Sequence, residues 1–517
     1  MNHNLFSALR GAFPADRDTT AVRTIDATPL SYTWRDLDRA TARIANLLVS
    51  LDLPSNARIA VQTEKSVEAM LLYLAVLRAG FVYLPLNTAY RASELEYFIA
   101  NAEPSVVVCA GKNFPWVSKI AFKAGTRNVF TLNEDRTGSL LERAAVHGDT
   151  QAIAQKQRDD LAAILYTSGT TGRSKGAMLS HANLLSNARA LQDYWGWRSG
   201  DVLIHALPIF HVHGLFVAIH GALLNGSKML WFSKFDAMLA LEQFSEATVF
   251  MGVPTLYVRL LGEAGLTRQA CAAMRVFISG SAPLLIETFN DFRDRTGHTI
   301  VERYGMSETL MLTSNPYRTE HGGRHGGTVG FALPGVSVRV ASVEGQACAT
   351  GEVGNIEVRG PNVFTGYWRM PEKTREEFTA DGWFRTGDVG QLDAQGRLTI
   401  VGRSKDLIIT GGYNVYPAEV EGYLNEAEGV AESAVIGVPH PDFGEGVVAV
   451  VVPRRGAALE PQGLLAALKG RIANFKVPKQ IFLVDDLPRN AMGKVQKNLL
   501  REQHKDLFRA GTEPRSR

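Results

Sequence analysis

Cysteine is scarce in this chain of 517 residues, and the three present, Cys109, Cys271 and Cys348, stand far apart. No CxxC spacing occurs, so neither a structural zinc site nor a disulfide framework is indicated. Excess charge of one sign is missing as well. Lys plus Arg number 55 and Asp plus Glu 52, a formal net charge of +3. That balance argues against nucleic acid or an anionic membrane surface as partner. Long apolar runs are absent, and stretches such as 69–77 are too short to span a bilayer. The opening MNHNLFSALRGAF carries a short apolar patch but no secretory hydrophobic region. There are no repeats and no low-complexity segments. What remains is an ordinary composition, 45% hydrophobic and 21% charged, over a length that needs two or more cores. A cytoplasmic enzyme is the expectation.

The pattern along the chain alternates. RIAVQ (58–62) reads as a buried strand, 66–79 as a helix stopped by Gly80, and 81–86 and 105–110 as strands again. Segments 161–166, 249–253, 275–279 and 299–301 continue the strand signal, with a helix over 180–194. This order predicts an α/β fold of layered sheets. After about Gly326 short strands separated by Gly and Pro suggest a small β-rich subdomain. From Arg403 a new α/β pattern begins, with helices over 417–426 and 464–474 and strands over 432–438, 446–453 and 480–484. Residues 511–517 are polar and expected to be disordered.

One segment points to chemistry. YTSGTTGRSKGAM (166–178) follows an apolar strand and ends on Lys175. Glycines let backbone N–H groups face an anion, hydroxyls add donors and the lysine adds charge, so the loop reads as a phosphate grip. The Walker A pattern needs Gly-Lys followed by Ser or Thr. Here Gly172 precedes Arg173 and Lys175 precedes Gly176, which excludes a P-loop NTPase.

Further motifs follow in a fixed order: SGSAPL (279–284), YGMSE (304–308), WFRTGD (383–388), VGRSKD (401–406) and PRNAMGK (488–494). Together with the phosphate loop they resemble the signatures of the adenylate-forming superfamily of acyl-CoA synthetases, peptide-synthetase adenylation domains and luciferases. The resemblance covers nearly the whole chain. It implies a large multi-subdomain N-terminal domain over 1–402, a hinge at 403–405 on Lys405, and a small mobile C-terminal α/β domain over 406–517. It also implies ATP and coenzyme A as co-substrates, with Mg²⁺.

Residue by residue, the resemblance assigns Thr167, Ser168, Gly169, Thr170, Thr171, Gly172 and Lys175 to the β- and γ-phosphates. Glu308 would hold Mg²⁺, a hard cation that keeps substrate phosphates in its shell. Ala282, Pro283, Glu302, Tyr304, Gly305, Met306 and Ser307 would surround the nucleotide, with the Tyr304 ring against adenine. Asp388 would accept from both ribose hydroxyls, with Arg403 assisting. His211, in PIFHVHGL, would lie against the reacting carboxylate, and His213 would support the fold. Gly411, Gly412 and Tyr413 would line the pantetheine path. Lys494 would meet the α-phosphate and the carboxylate during adenylation, delivered by domain rotation. Its setting also resembles sites of reversible lysine acetylation, which makes an acetyltransferase and a deacetylase conceivable partners. One departure stands out: Ile409 and Thr410 occupy the positions before the glycine pair where many relatives carry a lysine.

The acid is read from two arginines. Arg259 lies one turn into a helix begun by Pro254, among Val258, Leu260 and Leu261, and Arg303 directly precedes Tyr304. An arginine among apolar neighbours needs an anion, because burying an unpaired charge is costly. Arginine also suits bidentate carboxylate recognition. Ser281 adds a hydroxyl donor. The segments VPTLYVRLL and ERYGMSE resemble those of malonyl-CoA synthetases, so malonate or methylmalonate is the expected acid. A monocarboxylate synthetase of short, medium-chain or aryl specificity and a stand-alone adenylation enzyme loading a carrier protein are the alternatives.

Overall fold

The computed structural model describes residues 2–167, 174–318, 320, 322–490 and 493–508. The chain divides into two compact units. The first comprises Met1–Ser337 and Val358–Phe384, the second Val338–Glu357 and Arg385–Arg517.

In the first unit the expected alternation produces two large mixed sheets. One runs, in spatial order, Gly366–Tyr367, Lys175–Ser180, Leu161–Thr167, Val82–Pro85, Arg58–Gln62, Val106–Cys109 and Asn128–Thr131. The other runs Phe331–Ala332, Leu310–Ser314, Val301–Met306, Val276–Ser279, Val249–Gly252, Val202–His205, Lys228–Trp231, Thr20–Thr24 and Ser31–Thr33. The centres of both are parallel, which is why their strands read as unbroken apolar runs rather than alternating ones. The helix Val67–Arg78 is buried along its whole length, as a helix apolar on every side must be. Ser66 caps its start through the Ala69 N–H, and Gly80 follows with φ +80.

Two expectations shift. The strand expected at 299–301 is Val301–Met306, so the ERYGM motif is itself strand. The helix expected at 464–474 is Pro461–Lys469, because Pro461 presets the first helical turn and Gly470 takes the C-cap position.

The second unit carries a four-stranded sheet and a five-stranded one. In the latter, Val430–His440 and Gly444–Pro453 pair along their full length. Val435, Val447, Ala449 and Val451 feed one core while Ala434, Ile436, Val448 and Val450 feed another. The period of two sends alternate residues to opposite faces, and helices cover both.

Candidate active site

The phosphate segment sits at the end of a β-hairpin. Leu161–Thr167 and Lys175–Ser180 pair antiparallel, with Thr167 opposite Lys175. Ser168, Gly169, Thr170, Thr171 and Gly172 lie outside the described residues. The next helix starts only at His181. A Walker A lysine opens a helix, whereas Lys175 opens a strand, which is the structural counterpart of the failed sequence pattern. Its ammonium lies 3.1 Å from Glu377 Oε1 and 4.3 Å from the centroid of the Tyr367 ring.

Glu308 occupies the turn between Val301–Met306 and Leu310–Ser314 and is buried. The Tyr367 hydroxyl donates to its Oε1 at 3.0 Å, and the Phe364 N–H donates to its backbone carbonyl at 2.7 Å.

The strand Val301–Met306 separates two environments, because successive side chains leave a strand on opposite faces. Glu302, Tyr304 and Met306 share one face and Arg303 takes the other. Glu302 is buried, accepts from the Leu284 N–H at 3.3 Å, and its carboxyl is pushed up to about 8 by burial. Tyr304 is likewise buried. Gly305 is required for packing, since a Cβ there would meet the Leu310 carbonyl oxygen at 2.0 Å. Ser307 lies in the turn after Val301–Met306, and Ala282 and Pro283 lie in the irregular segment that follows Val276–Ser279.

Arg303 is 3% exposed. Its Nη2 donates to Ser281 Oγ at 3.2 Å, and its Nε has no acceptor among the described residues. Gly280 makes room for it, because a Cβ there would stand 2.6 Å from the guanidinium carbon. Burial pushes the guanidinium down to about 9, opposed by Tyr257, and leaves it cationic at neutral pH. Ser281 has φ +75, a left-handed backbone that a non-glycine residue holds only under tertiary constraint. Its Oγ also lies 3.4 Å from His213 Nδ1. Burial, then Arg303 and His205, hold that imidazole well below its ordinary range, so it is neutral. His213 opens the π-helical turn His213–Ala218, a rare geometry found mostly at functional sites. His211 is half-buried beside Phe210, ring centroids 4.6 Å apart.

Arg259 differs from the expectation. The helix Pro254–Leu261 buries Leu256, Tyr257 and Leu260 and leaves Arg259 exposed. The cost of burying a charge therefore constrains Arg303 and not Arg259.

In the second unit Asp388 and Arg403 are register partners on adjacent strands and form an ion pair, Nε to Oδ1 at 2.8 Å, with the aspartate buried. Lys405 lies in the 3₁₀ turn Ser404–Asp406. Gly411 (φ +58) and Gly412 (φ +82) form the two-residue turn between Ile408–Thr410 and Tyr413–Val415, a turn type that needs positive φ at both positions. Tyr413 is 59% exposed and stacks on Phe475, centroids 4.7 Å apart. Lys494 is exposed on a tight turn in which its N–H donates to Asn490 Oδ1 at 3.0 Å and its carbonyl accepts from the Asn490 N–H at 2.9 Å.

The first unit thus offers a hairpin lysine, Lys175, a buried arginine and a buried tyrosine on one strand, Arg303 and Tyr304, and a buried carboxylate, Glu308, in the turn that follows it. Residues 12–368 match the family model for an AMP-binding enzyme, and 419–494 match that for the AMP-binding enzyme C-terminal domain. The chain belongs to the AMP-binding enzyme family. This AMP-binding enzyme is similar to ATP-bound MatB from Rhodopseudomonas palustris, with 53% identity, a TM-score of 0.95, and 98% of this chain and 100% of that chain covered. It is 38% identical to a mitochondrial malonate–CoA ligase of Mus musculus, over 82% of this chain and 78% of that protein. A malonate–CoA ligase of Arabidopsis thaliana is 32% identical, over 96% of this chain and 89% of that protein.

Among the described residues of the enzyme no group of three or more His, Cys, Asp or Glu side chains could cage a metal ion. A lone buried carboxylate suits a hard cation that arrives on nucleotide phosphates and keeps water and phosphate oxygens as its other ligands. No helix among them is long and apolar enough to cross a membrane. Sequence reasoning missed three contacts: His213 beside Ser281, Tyr367 with Glu308 and Lys175, and Glu377 with Lys175. Tyr367 and Glu377 carry no motif signal of their own. The histidine was visible in PIFHVHGL, but its contact with Ser281 spans 68 residues of chain.

Proposed function

We propose that this AMP-forming acid–thiol ligase takes malonate or methylmalonate, ATP and coenzyme A to the CoA thioester, AMP and pyrophosphate. A carboxylate oxygen of the acid attacks the α-phosphorus and the bond to pyrophosphate breaks. The CoA thiolate then attacks the acyl carbon of the adenylate and AMP leaves. Positioning and electrostatics supply most of the catalysis, because both reactants are anions.

Arg303 carries the reading of the acid. It is a buried guanidinium with no carboxylate partner among the described residues and an Nε without an acceptor. A second carboxylate on the substrate satisfies it, and Ser281 and neutral His213 extend the same polar face. The malonate–CoA ligases named among its relatives support the assignment. Arg259, exposed on its helix, acts as a longer-range attractor.

Lys175 and residues Thr167, Ser168, Gly169, Thr170, Thr171 and Gly172 grip the β- and γ-phosphates. Glu308 would hold Mg²⁺ carried on ATP, which would supply electrostatic stabilisation of phosphate charge. Tyr304 faces adenine, with Glu302, Gly305, Met306, Ser307, Ala282 and Pro283 around it, and His211 borders the reacting carboxylate. Asp388 accepts from the ribose hydroxyls and Arg403 steadies it. Lys494 brings a mobile point charge to the α-phosphate, the domain over 406–517 turns on the hinge 403–405 at Lys405, and Gly411, Gly412 and Tyr413 then line the pantetheine path. Acetylation of Lys494 would remove that charge and silence adenylation. The composition suits a cytoplasmic enzyme.

ATP–pyrophosphate exchange with a panel of acids tests the reading. Malonate and methylmalonate should drive exchange fastest. Faster exchange with acetate, octanoate or an aryl acid overturns the dicarboxylate assignment, and exchange without turnover of free CoA points to a carrier-protein acceptor instead.

A further inference from the structure

Tyr367 belongs to neither the phosphate loop nor the metal motif, yet it touches both. Its hydroxyl donates to Glu308 Oε1 at 3.0 Å, and its ring face lies under the Lys175 ammonium at 4.3 Å. Glu308 is 59 residues away in sequence, so the juxtaposition is purely tertiary.

The residue is held on several sides. It lies on the edge strand Gly366–Tyr367, opposite Ala177 of the phosphate hairpin. Its N–H donates to Thr374 Oγ1 at 2.9 Å, and the next residue, Trp368, donates its N–H to the Gly176 carbonyl at 2.8 Å. Its ring meets Phe364 edge-on at 4.8 Å. At Gly366 (φ +139) a Cβ would stand 2.8 Å from Thr374 Cγ2, so the backbone passes where only glycine fits. The backbone at Tyr367 is therefore held from both sides, and its ring is packed against Phe364. A carboxylate only accepts, so the Tyr367 hydroxyl is the donor in this contact.

We infer that Tyr367 is a positioning residue for adenylation, which fixes the Glu308 carboxylate with its hydroxyl and the Lys175 ammonium with its ring. The inference rests on the assignment of Glu308 to Mg²⁺ and Lys175 to phosphate. Outer hydrogen bonds orient metal-binding carboxylates and tune their affinity, and an aromatic face attracts a cation without competing for its hydrogen-bond donors. Glu377, held also by Lys373 at 3.3 Å, keeps Lys175 on the ring until a phosphate replaces the carboxylate. Tyrosine is the side chain that supplies both contacts at once. Phenylalanine keeps only the second, and leucine keeps neither.

The full chain with Tyr367→Phe, Tyr367→Leu or Glu308→Gln separates these contributions. Binding of a non-hydrolysable ATP analogue is followed by calorimetry across a Mg²⁺ series, with thermal melts to confirm folding. Tyr367→Phe should raise the Mg²⁺ concentration for half-saturation about 10-fold, with metal-free nucleotide affinity and the malonate KM unchanged. Tyr367→Leu should additionally weaken metal-free nucleotide binding by roughly 2- to 5-fold. If Tyr367→Phe follows the wild-type Mg²⁺ curve while Glu308→Gln departs from it, Tyr367 has no positioning role and the metal assignment survives. If Glu308→Gln also follows the wild-type curve, the assignment of Glu308 fails and the inference falls with it. Should Tyr367→Leu not fold, the phenylalanine variant alone decides.

Discussion

Arg303, Glu308 and Lys175 in the first unit and Lys494 in the second are held in opposite ways. In the first unit Arg303 and Glu308 are 3% and 5% exposed, and Lys175 is clasped between a carboxylate and a ring. In the second unit Lys494 stands exposed on a turn. A buried charge keeps its geometry and meets a ligand without reorganising, at the cost of desolvation borne during folding. An exposed lysine keeps its rotamers and hydration, and its desolvation cost arises only where a ligand covers it. The first arrangement suits a fixed contact, and the second suits the mobile charge proposed for Lys494.

The contrast can be broken at each end. Lys494→Ala should lower adenylate formation by about 10²- to 10³-fold, the usual loss when one preorganised charge contact to the transition state is removed. Thioester formation from pre-made adenylate should survive in part, and measuring the two half-reactions separately decides it. If both fall equally, Lys494 serves more than adenylation. Arg303→Ala comes next. Removing one member of a buried charge contact costs about 2–5 kcal/mol, so the malonate kcat/KM should drop roughly 30-fold or more while the ATP KM barely moves. Equal losses on both substrates would assign Arg303 to the scaffold.

Glu302 tests the buried side through pH. Its carboxyl, raised to about 8 from an ordinary 4.5, holds a proton in the folded chain that the unfolded chain releases. That contribution to stability is complete below about 4.5 and is lost as pH rises through about 8. Glu302→Gln removes it, so the Tm of the variant should gain on the wild type between pH 5 and 9. A constant difference across that range would show that Glu302 is ionised throughout. The smallest effect belongs to Arg259→Ala. An exposed charge contributes about 0.2–1 kcal/mol, which predicts a change in the malonate KM of roughly 5-fold or less that fades with added salt. A loss as large as that at Arg303 would mean that Arg259 is desolvated when substrate binds.

The legible parts of the molecule were those written in local pattern. The buried helix Val67–Arg78 and the capped helix His181–Tyr194 follow from apolar spacing, a serine at each start and, for the first, a glycine past the end. The strand that carries ERYGM begins later than its apolar pattern indicates, because Glu302 and Arg303 interrupt the apolar run that marks its neighbours. Lys175–Ser180 gives no strand signal of its own, since KGAMLS borders a strong helix and its pairing depends on the hairpin.

The alternating α/β order, the family motifs and the residue types of the site can be read along the chain, because periodicity, turn glycines and motif spacing are local properties. Which of the two arginines is buried follows only from packing. Burial depends on which helix face meets the core, and Arg259 and Arg303 look alike among apolar neighbours in the sequence. Tertiary packing also decided that Tyr367 touches both Glu308 and Lys175. Those residues are distant along the chain, and an edge strand two residues long brings them to one tyrosine.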